Sequence, residues 1–208
     1  MTSIGLISDV HATAAPVAEA LSIFEKARVD TILCAGDIAG YRDELEQVIA
    51  LLDKNGCRSI LGNHDVLYLD HYGDDPDDRA VAYFKGLPTM IEKTINGKRV
   101  YMVHAHPPDA CHGGIKLLDR FGELQAERIA CWSDRLRPFD YDVLIVGHTH
   151  QVFTEYLGDI LVINPGSSAF NHSCAILHLP EMRVQTFALS GKAIERTWNW
   201  GEHMIVRR

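Results

Sequence analysis

Ile4-Gly5-Leu6-Ile7-Ser8, Thr31-Ile32-Leu33-Cys34 and Arg58-Ser59-Ile60-Leu61 are three short apolar runs. They read as strands. The segments between them have helical periodicity. Pro16 to about Ala27 carries Val17, Ala20, Leu21 and Phe24 at i, i+3, i+4 and i+7 spacing, and Pro16 suits a first helical turn. Asp43 to Lys54 carries Leu45, Val48, Ile49 and Leu52 on one face. Asp43 and Glu44 fall in its first turn, where they complement the helix dipole, and Asn55-Gly56 is a good stop. The order β-α-β-α-β argues for parallel strands joined by right-handed crossovers. In such sheets, ligands collect beyond the carboxyl ends of the strands.

Each of the three runs ends in polar residues: Asp9-Val10-His11, then Gly36-Asp37-Ile38-Ala39-Gly40, then Gly62-Asn63-His64-Asp65. The same build recurs downstream. Met90 to Ile95 and Lys98 to Val103 flank Asn96-Gly97, a hairpin signal. The second of these runs leads into His104-Ala105-His106-Pro107-Pro108. Val143-Leu144-Ile145-Val146 reads as a buried strand and leads into Gly147-His148-Thr149-His150. Gly36, Gly62 and Gly147 each precede a candidate ligand. A residue without Cβ lets the chain turn sharply there or approach an ion closely.

Residues 66–95 are less regular. Asp74, Asp75, Asp77 and Asp78 around Pro76 read as a solvated loop leading into a helix, with Asp77 near the N-cap and Ala80, Val81 and Phe84 inward. The patch lacks the glycine and spacing of a calcium loop. A further helix is expected from about Gly122 to Arg135, closed by Pro138. Val152 to Tyr156 and Ile160 to Ile163 read as strands around Gly158-Asp159, followed by the turn-rich Asn164-Pro165-Gly166-Ser167-Ser168. Strands are expected over Ser173 to Leu179 and Arg183 to Leu189. Trp198 and Trp200 alternate onto one strand face, which suits a homo-oligomer contact.

A length of 208 residues suits one domain over 1–208. No apolar run approaches the ~20 residues of a membrane span. The N-terminus lacks a basic leader region, so a cytoplasmic location is expected. A net charge of −8 argues against nucleic acid or an anionic membrane as the main partner. A local metal site can still invert the field around a phosphate. Cys34, Cys57, Cys111, Cys131 and Cys174 form no Cys-x-x-Cys pair and read as scattered thiols.

Asp9, His11, Asp37, Asn63, His64, His104, His148 and His150 all fall at strand ends. Carboxylates, imidazoles and one amide, with no thiolate, suit Mn, Fe, Zn, Co or Ni. The set is too large for one four-coordinate ion and divides between two if a carboxylate bridges. Two ions about 3.5–4 Å apart polarise phosphoryl oxygens and lower the pKa of a bridging water. A histidine beside them that binds neither ion can protonate the leaving oxygen. His64 is the natural candidate. His71, His112, His172, His178 and His203 fit no motif.

Asp9-x-His11, Gly36-Asp37-x-x-Gly40, Gly62-Asn63-His64-Asp65, His104 and Gly147-His148-x-His150, in this order, resemble the motif set of the calcineurin-like metallophosphoesterase superfamily. Asn164-Pro165-Gly166-Ser167 resembles a further segment of its small bacterial and archaeal phosphodiesterase branch. The resemblance implies an α/β fold (α+β by some schemes): a two-sheet β-sandwich flanked by helices, in four αββα layers. It implies two divalent transition-metal ions, manganese first, with Fe, Ni, Zn or Co as alternatives. Asp9, His11, Asp37 and His150 would hold one ion. Asp37, Asn63, His104 and His148 would hold the other, with Asp37 bridging. His64 would contact the phosphate and protonate the leaving group, and Asp65 would orient it. The implied activity is hydrolysis of a small phosphate ester, a phosphodiester before a monoester. Ala105 stands where the family often has glycine, and His106 could still reach the phosphate. Ala39-Gly40-Tyr41 and Asp65 depart from the Asp-Arg-Gly and glutamate of protein serine/threonine phosphatases. A scaffold, like the retromer subunit of this fold, is the competing class; the intact ligand set argues against it.

Overall fold

Side-chain alternation along the strands builds the layers. The structure is a computed structural model and describes residues 1–198. In β1 (Thr2–Ile7), Ile4 and Leu6 face one side and Ile7 the other. β1 pairs in parallel with β2 (Thr31–Cys34), and β2 with β3 (Arg58–Ser59). On its other edge β1 pairs antiparallel with β9 (Ser173–Leu179), which pairs with β10 (Arg183–Ala188). The first sheet thus runs β10-β9-β1-β2-β3.

The second sheet has the order β4-β5-β6-β8-β7. Its strands are β4 (Met90–Ile95), β5 (Lys98–Val103), β6 (Val143–Ile145), β7 (Val152–Leu157) and β8 (Ile160–Pro165). The β4–β5 hairpin turns at Asn96 (φ 49) and Gly97 (φ 76), two positive-φ residues as a tight turn between twisted strands requires.

Three buried clusters separate four layers. Ile4, Leu6 and Leu33 of the first sheet meet Val100, Met102, Val143, Ile145, Leu161 and Ile163 of the second. On the outer face of the first sheet, Ile7, Cys34 and Ile176 pack against α1 (Ala14–Ala27), α2 (Leu45–Lys54) and α4 (Arg79–Lys85) through Val17, Phe24, Leu52 and Phe84. On the outer face of the second, Tyr101, Leu144 and Val162 pack with Ile115, Leu117 and Leu136, the last from α5 (Ala126–Leu136). This is the four-layer sandwich expected. Among the described residues, no helix is long and apolar enough to cross a membrane.

Four expectations are corrected. Residues 66–72, expected to be less regular, are helical: α3 spans Asn63–Tyr72. Its outer positions Leu67 and Tyr72 are exposed, so it has no apolar stripe to read. The N-cap of α4 is Asp78, not Asp77; its carboxylate accepts from the N–H groups of Ala80 (2.7 Å) and Val81 (3.2 Å). α2 starts at Leu45, because Glu44 is its N-cap and its carboxylate accepts from Ala14 N–H (2.8 Å). α5 starts at Ala126, since Gly122 is in a positive-φ turn and Leu124 bridges to Leu118. Trp200 lies outside the described residues. Trp198 packs within the chain, its ring 4.9 Å from Phe170.

Candidate metal centre

The carboxyl ends of both sheets converge on one place. β1 delivers Asp9 and His11, β2 delivers Asp37, and the β3–α3 junction delivers Asn63 and His64. From the second sheet, β5 delivers His104 and β6 delivers His148 and His150. Backbone hydrogen bonds zip these ends together: Asp9 N–H to Gly36 O (3.0 Å), His11 N–H to Asp37 O (3.0 Å) and Gly147 N–H to His104 O (2.8 Å).

The donor atoms fall into adjoining groups. His11 Nε2 and His150 Nε2 are 3.0 Å apart, and His150 Nε2 is 3.4 Å from Asp9 Oδ1. Beside them, His104 Nε2 is 3.3 Å from Asp37 Oδ1 and 3.2 Å from Asn63 Oδ1, which also lies 2.8 Å from His148 Nδ1. Asp9, His11 and His150 bring donors within 4.8 Å of one another, as do Asp37, His104 and His148, and His11, Asp37 and His64. Each group could hold a metal ion, and the mix of imidazole and carboxylate fits a borderline divalent cation. Asp9, His11, Asp37, His104 and His150 are buried, whereas Asn63, His64 and His148 are half-buried. The last three therefore mark the open side.

The backbone is strained at these residues. Asp9 (φ 50), His11 (47), Asp37 (54), His148 (64) and His150 (48) all lie in the left-handed region. Each such non-glycine residue costs of order 1–3 kcal/mol and persists only where the surroundings impose it. Two glycines allow the close approach. A Cβ on Gly147 would sit 2.0 Å from Ser8 Oγ, and one on Gly62 would sit 2.2 Å from Asp37 Oδ1.

Further polar groups hold the carboxylates and rings in place. Asp9 accepts from Ser8 Oγ–H (2.6 Å) and His148 N–H (3.0 Å), while Ser167 Oγ–H donates to the Asp9 carbonyl (2.5 Å). Asp37 Oδ1 accepts from His64 N–H (2.9 Å). His104 Nδ1–H donates to Ala35 O (2.6 Å), which turns Nε2 toward the centre. Asn164 Nδ2–H donates to Gly147 O (3.0 Å), so the turn-rich segment after β8 braces the β6 loop.

Burial and charge set the protonation states. Burial alone would raise Asp9, but its hydrogen bond to His150 and the neighbouring imidazoles hold it below the usual carboxylate range. Burial likewise opposes ionisation of Asp37, and His104 outweighs it, so Asp37 is lowered. Burial would depress His104, yet Asp37 raises it to about 9. His11 is lowered to about 4 by burial, against the pull of Asp9 and Asp37. His148 is lowered to about 4 by burial and by His104. Two neutral imidazoles beside two carboxylates are the state that a cation needs.

Asp65, expected to orient His64, is buried next to it at the start of α3. Its carboxylate accepts from the N–H groups of Ile38 (2.8 Å), Ala39 (2.7 Å) and Gly62 (2.8 Å), so it ties the loop after β2 to the start of α3. The His64 ring has a hydrogen-bond partner in Tyr41, whose hydroxyl is 3.1 Å from Nε2. His106 is not in the donor groups; its Nδ1 lies 2.9 Å from Pro107 O, and its ring is 5.7 Å from Trp132.

Sequence reasoning did not assign a role to Tyr41 or Phe170. Phe170 stacks on His150 at 5.4 Å and 20°, and Tyr41 lies 4.9 Å from the His11 ring and 5.7 Å from Phe170. The available signal was Gly40-Tyr41 after the bridging candidate, which read only as a departure from another pattern.

Known proteins share sequence and fold with this chain. The chain is 27% identical over 180 residues to an uncharacterized protein of Methanocaldococcus jannaschii, covering 78% of this chain and 68% of that one. It is 25% identical over 167 residues to a phosphodiesterase of the same organism, covering 78% and 82%. The fold superposes on a metallophosphoesterase from Sphaerobacter thermophilus with a TM-score of 0.67 at 20% identity, covering 92% of this chain and 89% of that one. The family profile of the calcineurin-like phosphoesterase superfamily domain matches residues 2–181. The match spans nearly all of the sandwich and every strand end that feeds the centre, and the chain belongs to the calcineurin-like phosphoesterase superfamily.

Proposed function

We propose that the protein is a dinuclear metal-dependent phosphodiesterase. The observation that carries this reading is the convergence of adjoining imidazole–carboxylate groups on five strained backbone positions. In this reading Asp9, His11, Asp37 and His150 hold one ion. Asp37, Asn63, His104 and His148 hold the other, with Asp37 shared. When bound, such ions neutralise phosphoryl charge and make water acidic enough to serve as a nucleophile near neutral pH. The chain supplies the rest. His64, half-buried on the open side, gives its proton to the leaving oxygen. Asp65 fixes the backbone from which His64 projects.

A preference for a diester is supported by a relative, 25% identical over 167 residues, that is called a phosphodiesterase.

The test uses metal-stripped protein, titrated with Mn²⁺, Ni²⁺ and Zn²⁺ against a chromogenic phosphodiester and the matching monoester. Metal-dependent turnover with the diester preferred is expected. Monoester preference would overturn the substrate class, and stoichiometric metal binding without turnover would favour a scaffold. In the same assay His64→Ala should keep the metal and slow turnover by roughly 10²–10⁴. An unchanged rate would remove His64 from the mechanism.

A further inference from the structure

α3 starts at the centre with Asn63 and His64, and beyond His64 lies a groove that the metal reading does not use. The groove has a volume of about 310 Å³ and is walled by Tyr41, His64, Leu67, Tyr68, His71 and Tyr72. Among the described residues, seven large hydrophobic side chains are exposed, and Tyr41 (51%), Leu67 (49%) and Tyr72 (56%) are three of them. Apolar side chains gathered in a concavity beside a reactive group mark a ligand site; single ones scattered over a surface do not.

The lining has a definite chemistry. Its lining among the described residues is aromatic, imidazole and aliphatic, which suits an uncharged planar group. Tyrosine rings dominate it, and such rings stack on any planar π-face. His71 Nδ1–H donates to Leu67 O (2.7 Å), which puts the acceptor lone pair of His71 on Nε2, a polar handle for a ring with N–H groups. Tyr41 connects groove and centre: its ring is a wall, it meets the His64 ring edge-on at 4.8 Å, and its hydroxyl lies 3.1 Å from His64 Nε2.

We propose that this groove is the leaving-group subsite and takes the planar ring of a nucleoside-type alcohol. The inference rests on the phosphodiesterase reading above. In the reaction the P–O bond to that alcohol breaks, its oxygen takes the proton from His64, and the oxygen of water remains on phosphorus. The group on the other ester oxygen stays with the phosphate.

The experiment uses the methyl ester of thymidine 5′-phosphate and metal-loaded protein. Both ester alcohols are primary and leave with similar intrinsic ease, so the products report which one occupies the groove. Thymidine plus methyl phosphate should exceed thymidine monophosphate plus methanol by at least about tenfold, the scale of one base–aromatic stack. Tyr72→Ala and Leu67→Ala, both at exposed positions, should each bring that ratio toward about one. Independently of turnover, thymidine alone should shift the NMR signals of metal-stripped protein, and Tyr72→Ala should weaken this binding at least about fivefold. Release of methanol, an unchanged ratio in both variants, or no thymidine binding by protein that cleaves a chromogenic diester would overturn the subsite. Thymidine binding that is lost in Tyr72→Ala, in protein that cleaves no phosphoester with any metal, would uphold the groove and sink the phosphodiesterase reading.

Discussion

Two sets of aspartates stand apart in this molecule although their side chains are identical. Asp9 and Asp37 follow strands, Asp65 lies in the first turn of α3, and all three are buried. Asp74, Asp75 and Asp77 lie between α3 and α4 and are exposed, and Asp78 is half-buried. The first set faces imidazoles and closely packed backbone N–H groups. The second makes local bonds: Asp75 accepts from Asp77 N–H (3.0 Å), and Asp78 caps α4 and accepts from Tyr68 Oη–H (2.6 Å). Local acid density is higher in the second set, yet the donor groups that could hold a metal draw only on the first. Burial, imidazole neighbours and strained backbone distinguish a site from a solvated patch; charge density does not.

Substitutions can break this contrast. Asp37→Asn removes the carboxylate that the proposed reading places between two ions and should cost more metal affinity than the roughly 10–100-fold lost when only a supporting partner is removed. Turnover should disappear with it. Calorimetric titration with Mn²⁺ checks this, and the paired change Asp75→Asn should leave the isotherm where it was. Equal losses from the two variants would dissolve the distinction.

Asp65 separates structure from chemistry within the buried set. Asp65→Ala strands three backbone N–H groups, each worth about 1–3 kcal/mol when left unsatisfied. The loss of unfolding free energy in urea should therefore be about 3 kcal/mol or more. A loss well below 1 kcal/mol would mean that water replaces the carboxylate. In the second set, Asp78→Ala should cost only about 1 kcal/mol, the value of an N-cap, with no change in metal binding.

The smallest expected effect is in the pH profile of the metal-free protein. His11 and His148 are held near 4 in the fold and titrate near 6.5 when unfolded. Between those values the unfolded chain binds more protons through these two residues, so stability falls as pH drops. Asp65, pushed up to about 7 by burial and by Asp37, offsets part of this. His104 works in the other direction. Raised to about 9, it stabilises the fold below pH 6.5, and that contribution is lost as pH rises through 9. Urea midpoints of metal-stripped protein should peak near pH 6.5, and a monotonic profile from pH 4 to 9 would show that the buried imidazoles are not held as described.

Much of this was legible in the residue order. The crossover helices showed in the stripes of Val17, Phe24, Val48 and Leu52, and the hairpin in Asn96-Gly97. The candidate ligands stood out because polar residues repeatedly follow short apolar strands. α3 did not show, because its exposed Leu67 and Tyr72 break the apolar period that marks a helix packed on a core.

The amino-acid sequence by itself determined most strands and helices and the residues at the strand ends, since period-2 and period-3.6 patterns and glycine placement are local properties of a chain; the four-layer sandwich came from the family resemblance of the motifs. Only the folded chain decided which of those residues touch. It placed His11 against His150, a sequence separation of 139, and gave the His64 ring to the Tyr41 hydroxyl while spending Asp65 on backbone N–H groups. It also gathered Tyr41, Leu67 and Tyr72 into one groove. Such contacts depend on how two sheets stack and where each loop turns into the left-handed region, and no local pattern encodes that.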